Sequence, residues 1–125
     1  IVISIEAIKQ ENGEHFCFVD NGREYTGIEV VSWVKKVQEL GAGEIIITSV
    51  DREGTGKGFD EDLVSKVSKV AKVPLIIHGG AGSKNHINEI LKKCDVDAVS
   101  SSAIFHYDFI KKNKKDYLFY DCNNF

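Results

Sequence analysis

Short apolar runs alternate along the chain with segments in which apolar residues recur at helical spacing. Four short apolar runs predict strands: residues 1–7, 44–50, 73–77 and 96–100. The nearly continuous apolar character of residues 1–7 indicates a strand buried on both faces of a sheet, and residues 44–50 indicate a second buried strand. Four segments with helical spacing predict helices: residues 28–40, 59–71, 83–93 and 104–115. The strand–helix order, repeated four times, predicts an α/β fold with a parallel sheet, built from four βα units.

Local signals set the boundaries of these elements. The tight-turn pair Asn21-Gly22 predicts a β-hairpin over residues 16–27. Gly41 is expected to end the first helix. Because the sequence shows no linker and no low-complexity segment, residues 1–125 are predicted to form one domain.

Four βα units make half of an eight-stranded TIM barrel, and a flat doubly wound sheet is the alternative. A polar or glycine-rich loop follows every predicted strand: EAIK, SVDREGTG, HGGAG and SSSA. In a barrel these loops would share one rim, where barrel active sites lie, and this favours the half barrel. A half barrel leaves two edge strands unpaired and one apolar face open. We therefore expect the isolated chain to form a homodimer of half barrels.

Composition excludes several classes of function. The net charge of the 125-residue chain is −3, which gives no basis for holding a nucleic acid by charge. No apolar run approaches the ~18 residues of a membrane span, and the start carries no signal-peptide pattern. The cysteines Cys17, Cys94 and Cys122 are odd in number and widely spaced, so we expect reduced thiols and a cytoplasmic location. Because Ile1 opens the chain inside an apolar run, we expect a piece of a longer protein.

The segment HGGAGSKNH, residues 78–86, carries the strongest chemical signal. Gly79 and Gly80 can expose backbone N–H groups to a ligand, and a helix beginning near Ser83 directs its positive end to the same place. The SSSA loop after the next strand adds hydroxyls and N–H groups at the usual phosphate site of such barrels. The alternative is an ordinary βα turn whose glycines serve geometry alone. The second loop favours a phosphate site.

Acidic residues at the same rim are candidates for proton transfer. Glu6 ends an otherwise apolar strand, so its carboxylate should project at the rim, either as an acid–base catalyst or as a solvated group. Asp51 and Glu53 lie in a glycine-rich loop, where they either divide acid and base roles with Glu6 or cap the loop. The side chains of Arg52 and Lys57 are expected either to bind an anion or to be solvated by water.

Histidines provide one further candidate. His78 precedes the two glycines, where it can donate to a phosphate, transfer a proton or merely end the strand. His15, His86 and His106 show no metal-ligand spacing with carboxylates, so the sequence predicts no metal and no cofactor.

Two stretches resemble the cyclase subunit of imidazole glycerol phosphate synthase: YTGIEVVSWVKKVQELGAGEIIITSVDREGTGKGFD and HGGAGSKNH. The resemblance covers about residues 1 to 110. Members of that family are (β/α)8 barrels made of two similar halves, and this chain is similar to the C-terminal half. The resemblance implies that ammonia from a glutaminase partner attacks a bisphosphorylated ribulosyl formimino carboxamide nucleotide. Imidazole glycerol phosphate and aminoimidazole carboxamide ribotide would be the products.

The resemblance also assigns residues. Glu6 and Glu53 fall on carboxylate positions with catalytic roles. The substrate and phosphate contacts that it implies are Thr48, Asp51, Gly54, Thr55, His78, Gly79, Gly80, Ser101, Ser102 and Ala103. The family's first catalytic aspartate belongs to the other half of the barrel. This chain alone is therefore expected to bind phosphate but to turn over little.

Three positions depart from the family pattern. Glu6 and Glu53 stand where aspartates are usual, His78 replaces a smaller residue, and the tail DYLFYDCNNF departs as well. One extra methylene moves a carboxylate by about 1 Å, enough to cost on the order of 10²-fold in rate where geometry is strict. These departures keep two alternatives open. One is an ammonia-channelling relative that serves amidation in surface-sugar (lipopolysaccharide) biosynthesis, and the other is a non-catalytic phosphate-binding half barrel.

Overall fold

A mixed six-stranded sheet and four helices make up the part of the chain that this computed structural model describes, residues 1–113. The strands are β1 (Val2–Lys9), β2 (His15–Val19), β3 (Glu24–Glu29), β4 (Glu44–Ser49), β5 (Leu75–His78) and β6 (Ala98–Ser100). The helices are α1 (Val30–Glu39), α2 (Glu61–Ser68), α3 (Lys84–Lys93) and α4 (Ala103–Lys112). None of these four has the length and hydrophobicity of a bilayer-spanning segment. The predicted end of the last helix at residue 115, the tail from residue 116 and Cys122 lie outside the described residues.

The four predicted βα units are present, and they confirm a partial (β/α) barrel. Strands β1, β4, β5 and β6 run parallel. Between β1 and α1 the chain inserts the antiparallel hairpin β2–β3, whose turn contains Asn21 and Gly22 as predicted. Because all four parallel strands end at one edge of the sheet, the loops after β4, β5 and β6 share one rim.

The hairpin corrects the expectation that both outer parallel strands lack neighbours. Strand β2 pairs with β1 along residues 6–9, whereas the first half of β1 has no partner on that side within the described residues. The sheet order is β3-β2-β1-β4-β5-β6, so β3 and β6 are its outermost strands. The segment EAIK, predicted as a loop, is the second half of β1, because pairing with β2 satisfies its backbone groups.

Helices cover one face of the sheet, so the prediction of strands buried on both faces is wrong. In β1 the side chains of Ile5 and Ala7 are buried, whereas Ser4 is exposed and Glu6 is partly exposed. The core joins the strand residues of the covered face to the apolar stripes of α1, α2 and α3. The opposite face corresponds to the inside of a barrel, which a half barrel leaves open.

Capping signals fix where the helices begin and end. Gly41 follows α1 with a φ angle of 94°, as expected for the residue after a helix C-terminus. Side chains cap the first three helices: Glu29 caps α1, Asp60 caps α2 and Ser83 caps α3. The first turn of α4 has no side-chain cap in the described part of the chain.

Candidate functional site

A row of four side chains crosses the parallel strands at the rim. Glu6 of β1 lies beside Thr48 of β4. Thr48 in turn lies beside His78 of β5, which lies beside Ser100 of β6. Adjacent strands are about 4.8 Å apart, so the row spans roughly 14 Å. The row residues alternate along their strands with residues of the core, so they point to the face that the helices leave open.

Beyond His78 a small cavity opens between the loops that follow β4, β5 and β6. Its lining consists of Glu53, Gly54, His78, Gly79, Gly80, Ala81, Ser100, Ser101, Ser102 and Ala103. All but Ala81 and Ser100 are residues that the sequence predicted for catalysis or phosphate binding. Those two were missed although both lie in the loops HGGAG and SSSA. The cavity volume is about 10 Å³, which is room for about one water molecule.

The glycines beside this cavity are required by close contact between loops. A Cβ on Gly80 would overlap the Gly58 carbonyl oxygen, and one on Gly79 would lie 2.5 Å from the Ser49 carbonyl oxygen. The φ angles of Gly79 and Gly80, 95° and 106°, also favour glycine. The Gly58 N–H donates to the Gly80 carbonyl oxygen at 2.8 Å and joins the two loops. The glycine pattern is therefore explained by packing, and it does not by itself indicate a ligand.

The N-terminus of α4 lies at the cavity. Ser101, Ser102 and Ala103 line it, and the Ser102 side chain makes no capping bond in the described part of the chain. The first N–H groups of a helix lack partners within the helix and carry its positive dipole end, so they suit an oxyanion. By contrast, the Ser83 hydroxyl of α3 accepts from the His86 N–H at 3.3 Å, and α3 lies outside the cavity lining. The α3 N-terminus therefore does not line this cavity, and its predicted contribution to phosphate binding stays a prediction.

Two predicted residues of the loop after β4 make their hydrogen bonds elsewhere. The Asp51 carboxylate accepts from the Lys9 N–H at 2.7 Å and ties the loop to the end of β1, which is the capping alternative. The Thr55 hydroxyl donates to the Arg52 carbonyl oxygen at 2.7 Å within its own loop. Both residues lie outside the cavity lining. The structure thus places them as supports of the loop that carries Glu53.

Glu53 and His78 contact each other at the cavity. The Oε1 atom of Glu53 lies 3.4 Å from Nε2 of His78. On the other side of the ring, Nδ1 of His78 lies 3.1 Å from the Ser100 carbonyl oxygen. The His78 side chain is 19% exposed and that of Glu53 is 54% exposed. The imidazole is therefore oriented by the neighbouring strand, while the carboxylate reaches it from solvent.

Glu6 borders a second, larger cavity at the other end of the row. Its Oε2 atom accepts from the Gly22 N–H at 2.9 Å, so the hairpin turn orients the carboxylate. The cavity has a volume of about 390 Å³ and is lined by β1, the hairpin and α1, with Phe18 and Trp33 among its walls. Because it adjoins the half of β1 that lacks a neighbour, it marks the side on which a closed barrel would continue.

One buried histidine lies beside two carboxylates, and the spacing of these residues in the sequence did not reveal that they are neighbours. Nε2 of His15 contacts an Asp60 oxygen at 3.0 Å, 45 residues away in sequence, and Nδ1 lies 4.0 Å from Asp62. Burial raises the pKa of Asp60, but hydrogen bonds from His15 and from the α2 backbone lower it to about 2. The three side chains place possible metal-ligand atoms within 4.8 Å of one another. Lys66 and Lys9 already contact the Asp62 carboxylate, at 2.9 and 3.5 Å, so we assign the cluster to the attachment of α2 to the β1–β2 turn.

Known proteins are similar to this chain over most of its length. The family described as histidine biosynthesis protein matches residues 1–111. The chain belongs to this family. The imidazole glycerol phosphate synthase subunit HisF of Bacillus cereus (strain AH187) is 46% identical over 107 residues. The subunits of Streptococcus mutans serotype c and Metallosphaera sedula are each 41% identical, over 107 and 119 residues.

The chain spans less than half the length of these relatives. The matches cover 86% of this chain in the first two comparisons and 94% in the third. They cover 42%, 43% and 47% of the respective HisF subunits.

Two of the three positions at which the resemblance indicates a departure from the family pattern contact each other. Glu53 and His78 are 25 residues apart in sequence and contact each other directly. The third departure, Glu6, is held by the hairpin turn at the far side of the same rim. All three side chains thus make a contact with another segment of the chain.

Proposed function

We propose that this chain supplies the C-terminal half of a (β/α)8 cyclase of histidine biosynthesis, acting in the cytoplasm. Its family membership and its similarity to the HisF subunits support the proposal. One observation carries it: Glu6, Thr48 and His78 stand in one row at the rim, beside a cavity walled by the loops at residues 79–81 and 100–103. A phosphorylated substrate lying along this row would have its phosphate at the cavity and its reacting centre near Glu6.

The proposed reaction consumes ammonia from a glutaminase partner. Ammonia condenses with the ribulosyl carbonyl of the phosphoribulosyl formimino carboxamide nucleotide with loss of one water, ring closure gives imidazole glycerol phosphate, and cleavage of the remaining C–N bond releases aminoimidazole carboxamide ribotide. Both ring closure and cleavage require proton transfers, which carboxylates at the rim can perform. We assign such roles to Glu6 and Glu53.

The phosphate would be held mainly by backbone N–H groups. Gly79 and Gly80 line the cavity together with residues at the uncapped start of α4, and we propose that the N–H groups of both segments bind the phosphate. The hydroxyls of Ser101 and Ser102 add donors, and Nε2 of His78 faces the same space. No cofactor takes part in this proposal.

The other half of the barrel would complete the site. We place it against the free half of β1 and the outer edge of β6, where backbone groups lack strand partners within the described residues. It would cover the open face and contribute the first catalytic aspartate that the family resemblance assigns to it. Asp51 and Thr55 would keep the loop after β4 in place while the substrate binds.

An ammonia-dependent assay tests the proposal. A protein that contains this chain together with the other half is given the bisphosphorylated nucleotide and an ammonium salt. The expected result is release of aminoimidazole carboxamide ribotide and imidazole glycerol phosphate in equal amounts. Absence of both products with a folded protein would refute the cyclase assignment.

The contact between Glu53 and His78 favours a second candidate, the relative that serves amidation in surface-sugar biosynthesis. An altered acid and an altered base that meet at the substrate cavity are what a different substrate would require. This candidate predicts no product in the cyclase assay, together with a requirement for the protein when a glutaminase amidates an activated sugar. A non-catalytic half barrel instead predicts phosphate binding with no turnover in either assay.

The uncovered face of the sheet also predicts self-association of the isolated chain. If the 125-residue chain is produced alone, we expect it to self-associate, because pairing of edge strands and closure of the open face remove apolar surface from water. Light scattering should report a mass of twice 13.9 kDa. A monodisperse monomer would refute the homodimer.

A further inference from the structure

The imidazole of His78 lies between two groups that only accept hydrogen bonds. Nδ1 faces the Ser100 carbonyl oxygen at 3.1 Å, and Nε2 faces the Glu53 carboxylate at 3.4 Å. A neutral imidazole has one N–H donor, whereas the imidazolium has two. A neutral ring can therefore donate to only one of these two acceptors at a time.

Glu53 is part of the cavity in which the proposed phosphate would bind. The cavity volume of about 10 Å³ holds about one water molecule, and Glu53 is itself one of the cavity walls. The Glu53 backbone is anchored, because its N–H donates to the Ser49 carbonyl oxygen at 3.0 Å. The half-exposed side chain can therefore leave by rotation alone, without unfolding its loop.

The contact that holds Glu53 is weak. Charge-assisted N–H···O bonds are typically about 2.7–2.9 Å long, and the contact to His78 is 3.4 Å. The carboxylate is also 54% exposed, so water screens its attraction to the imidazole ring. A phosphate dianion brings more charge and more acceptor oxygens to the same donors.

From these observations we infer that Glu53 is a built-in counter-ion of the phosphate site, which the phosphate of the substrate displaces from His78. The inference rests on the proposed function, since it assigns the cavity to a phosphate. It adds a preference for phosphate monoesters, which are dianionic near neutral pH, over phosphodiesters, which carry one charge. The displacement also couples phosphate binding to catalysis, because the Glu53 carboxylate leaves His78 and becomes available for proton transfer only when a phosphate is bound.

Removing the competing charge should tighten phosphate binding. Inorganic phosphate, methyl phosphate and dimethyl phosphate are titrated by calorimetry into the wild-type protein and into Glu53→Gln, each with both barrel halves present. We expect inorganic phosphate and methyl phosphate to bind Glu53→Gln about three- to fivefold more tightly, the range of a partly exposed ion pair. We expect dimethyl phosphate to bind both proteins more weakly than methyl phosphate.

Two further variants separate this inference from simpler effects. Glu89→Gln removes the same charge from an exposed site on α3 and should change the affinity less than twofold. His78→Asn keeps a donor for the Ser100 carbonyl oxygen but loses the ring nitrogen that faces Glu53, so it should weaken phosphate binding, and adding Glu53→Gln to it should give no further gain. Phosphate binding that is unchanged or weaker in Glu53→Gln overturns the counter-ion role while leaving the phosphate site standing. Absence of phosphate binding in both proteins overturns the phosphate site and the inference with it.

Discussion

The carboxylate of Glu6 accepts a hydrogen bond from the backbone N–H of Gly22 at 2.9 Å. Gly22 lies in the hairpin turn, and a Cβ at this position would lie 2.8 Å from Cγ1 of Val50, at the end of β4. The hairpin turn is therefore packed onto the rim beside the acid that it orients. The position of the proposed catalytic carboxylate thus depends on a segment that is inserted between the first strand of the half barrel and its helix.

Glu6→Gln tests the role of this carboxylate. Glutamine keeps an oxygen that accepts from the Gly22 N–H, so the free energy of unfolding should change by less than about 1 kcal/mol. Loss of the proton-transfer group should lower kcat in the cyclase assay by about 10²- to 10⁴-fold. The remote exposed acid Glu11 gives the matched control, Glu11→Gln, for which kcat should stay unchanged. Wild-type turnover in Glu6→Gln would exclude Glu6 from the chemistry.

Gly80→Ala tests the loop contact beside the cavity. Gly80 and Gly13 both have positive φ angles, 106° and 84°, but a Cβ at Gly13 meets nothing within 4 Å. Gly13→Ala should therefore cost only the backbone strain, about 1 kcal/mol. Gly80→Ala should cost about 3 kcal/mol or more, because the Gly58 carbonyl must also move. Urea unfolding measures both, and equal losses would show that the two loops pack more loosely than described.

Glu29, the cap of α1, should make stability depend on pH. Burial raises the pKa of Glu29, but hydrogen bonds from the Val31 and Ser32 N–H groups outweigh it and lower the pKa below its ordinary value of 4.5. A lowered folded-state pKa means that the contribution is fully present above the unfolded value and is lost as pH falls through the folded value. Glu29→Gln should thus cost about 1 kcal/mol at neutral pH and less below about pH 4. A cost that is independent of pH would contradict the charged cap.

The thiols of Cys17 and Cys94 should react at different rates. Burial, with a smaller effect of nearby Glu29, raises the pKa of Cys17 to about 11, and the residue is 5% exposed. Cys94 is partly exposed, and burial raises its pKa as well. Because the thiolate is the nucleophile, iodoacetamide near neutral pH should alkylate Cys94 at least about tenfold faster than Cys17. Peptide mass spectrometry follows both sites, with the urea-unfolded protein as the control in which the rates converge. Faster labelling of Cys17 in the native protein would contradict its burial.

Much of the fold could be predicted from apolar periodicity, whereas burial on the open face could not. Ile46 and Ile76 lie on the uncovered face, next along their strands to fully buried residues of the core. Their apolar character suits the inside of a closed barrel, so the sequence pattern alone reads as burial on both faces. Whether that face is covered depends on strands outside this chain, and local pattern carries no such information.

The loops of the candidate site were predicted from the sequence, whereas the contacts between its side chains were not. HGGAG and SSSA indicate where backbone donors gather, because glycines and hydroxyl residues at strand ends have local signatures. The contacts of Glu53 with His78 and of His15 with Asp60 join residues 25 and 45 positions apart. Such contacts arise from strand order and loop packing, which follow from the whole fold. The glycines match the pattern of a phosphate-binding loop, but close contact between loops is what requires them. Only the three-dimensional contacts show this.

Backbone amide chemical shifts during a titration with inorganic phosphate test the central claim most directly. The protein with both barrel halves is labelled with ¹⁵N, and the amides of residues 79–81 and 101–103 are followed. Saturable shifts in both loops with a single dissociation constant are expected, since one phosphate would contact both walls of the cavity. Shifts confined to other parts of the protein, or none that saturate, would contradict a phosphate site at this rim.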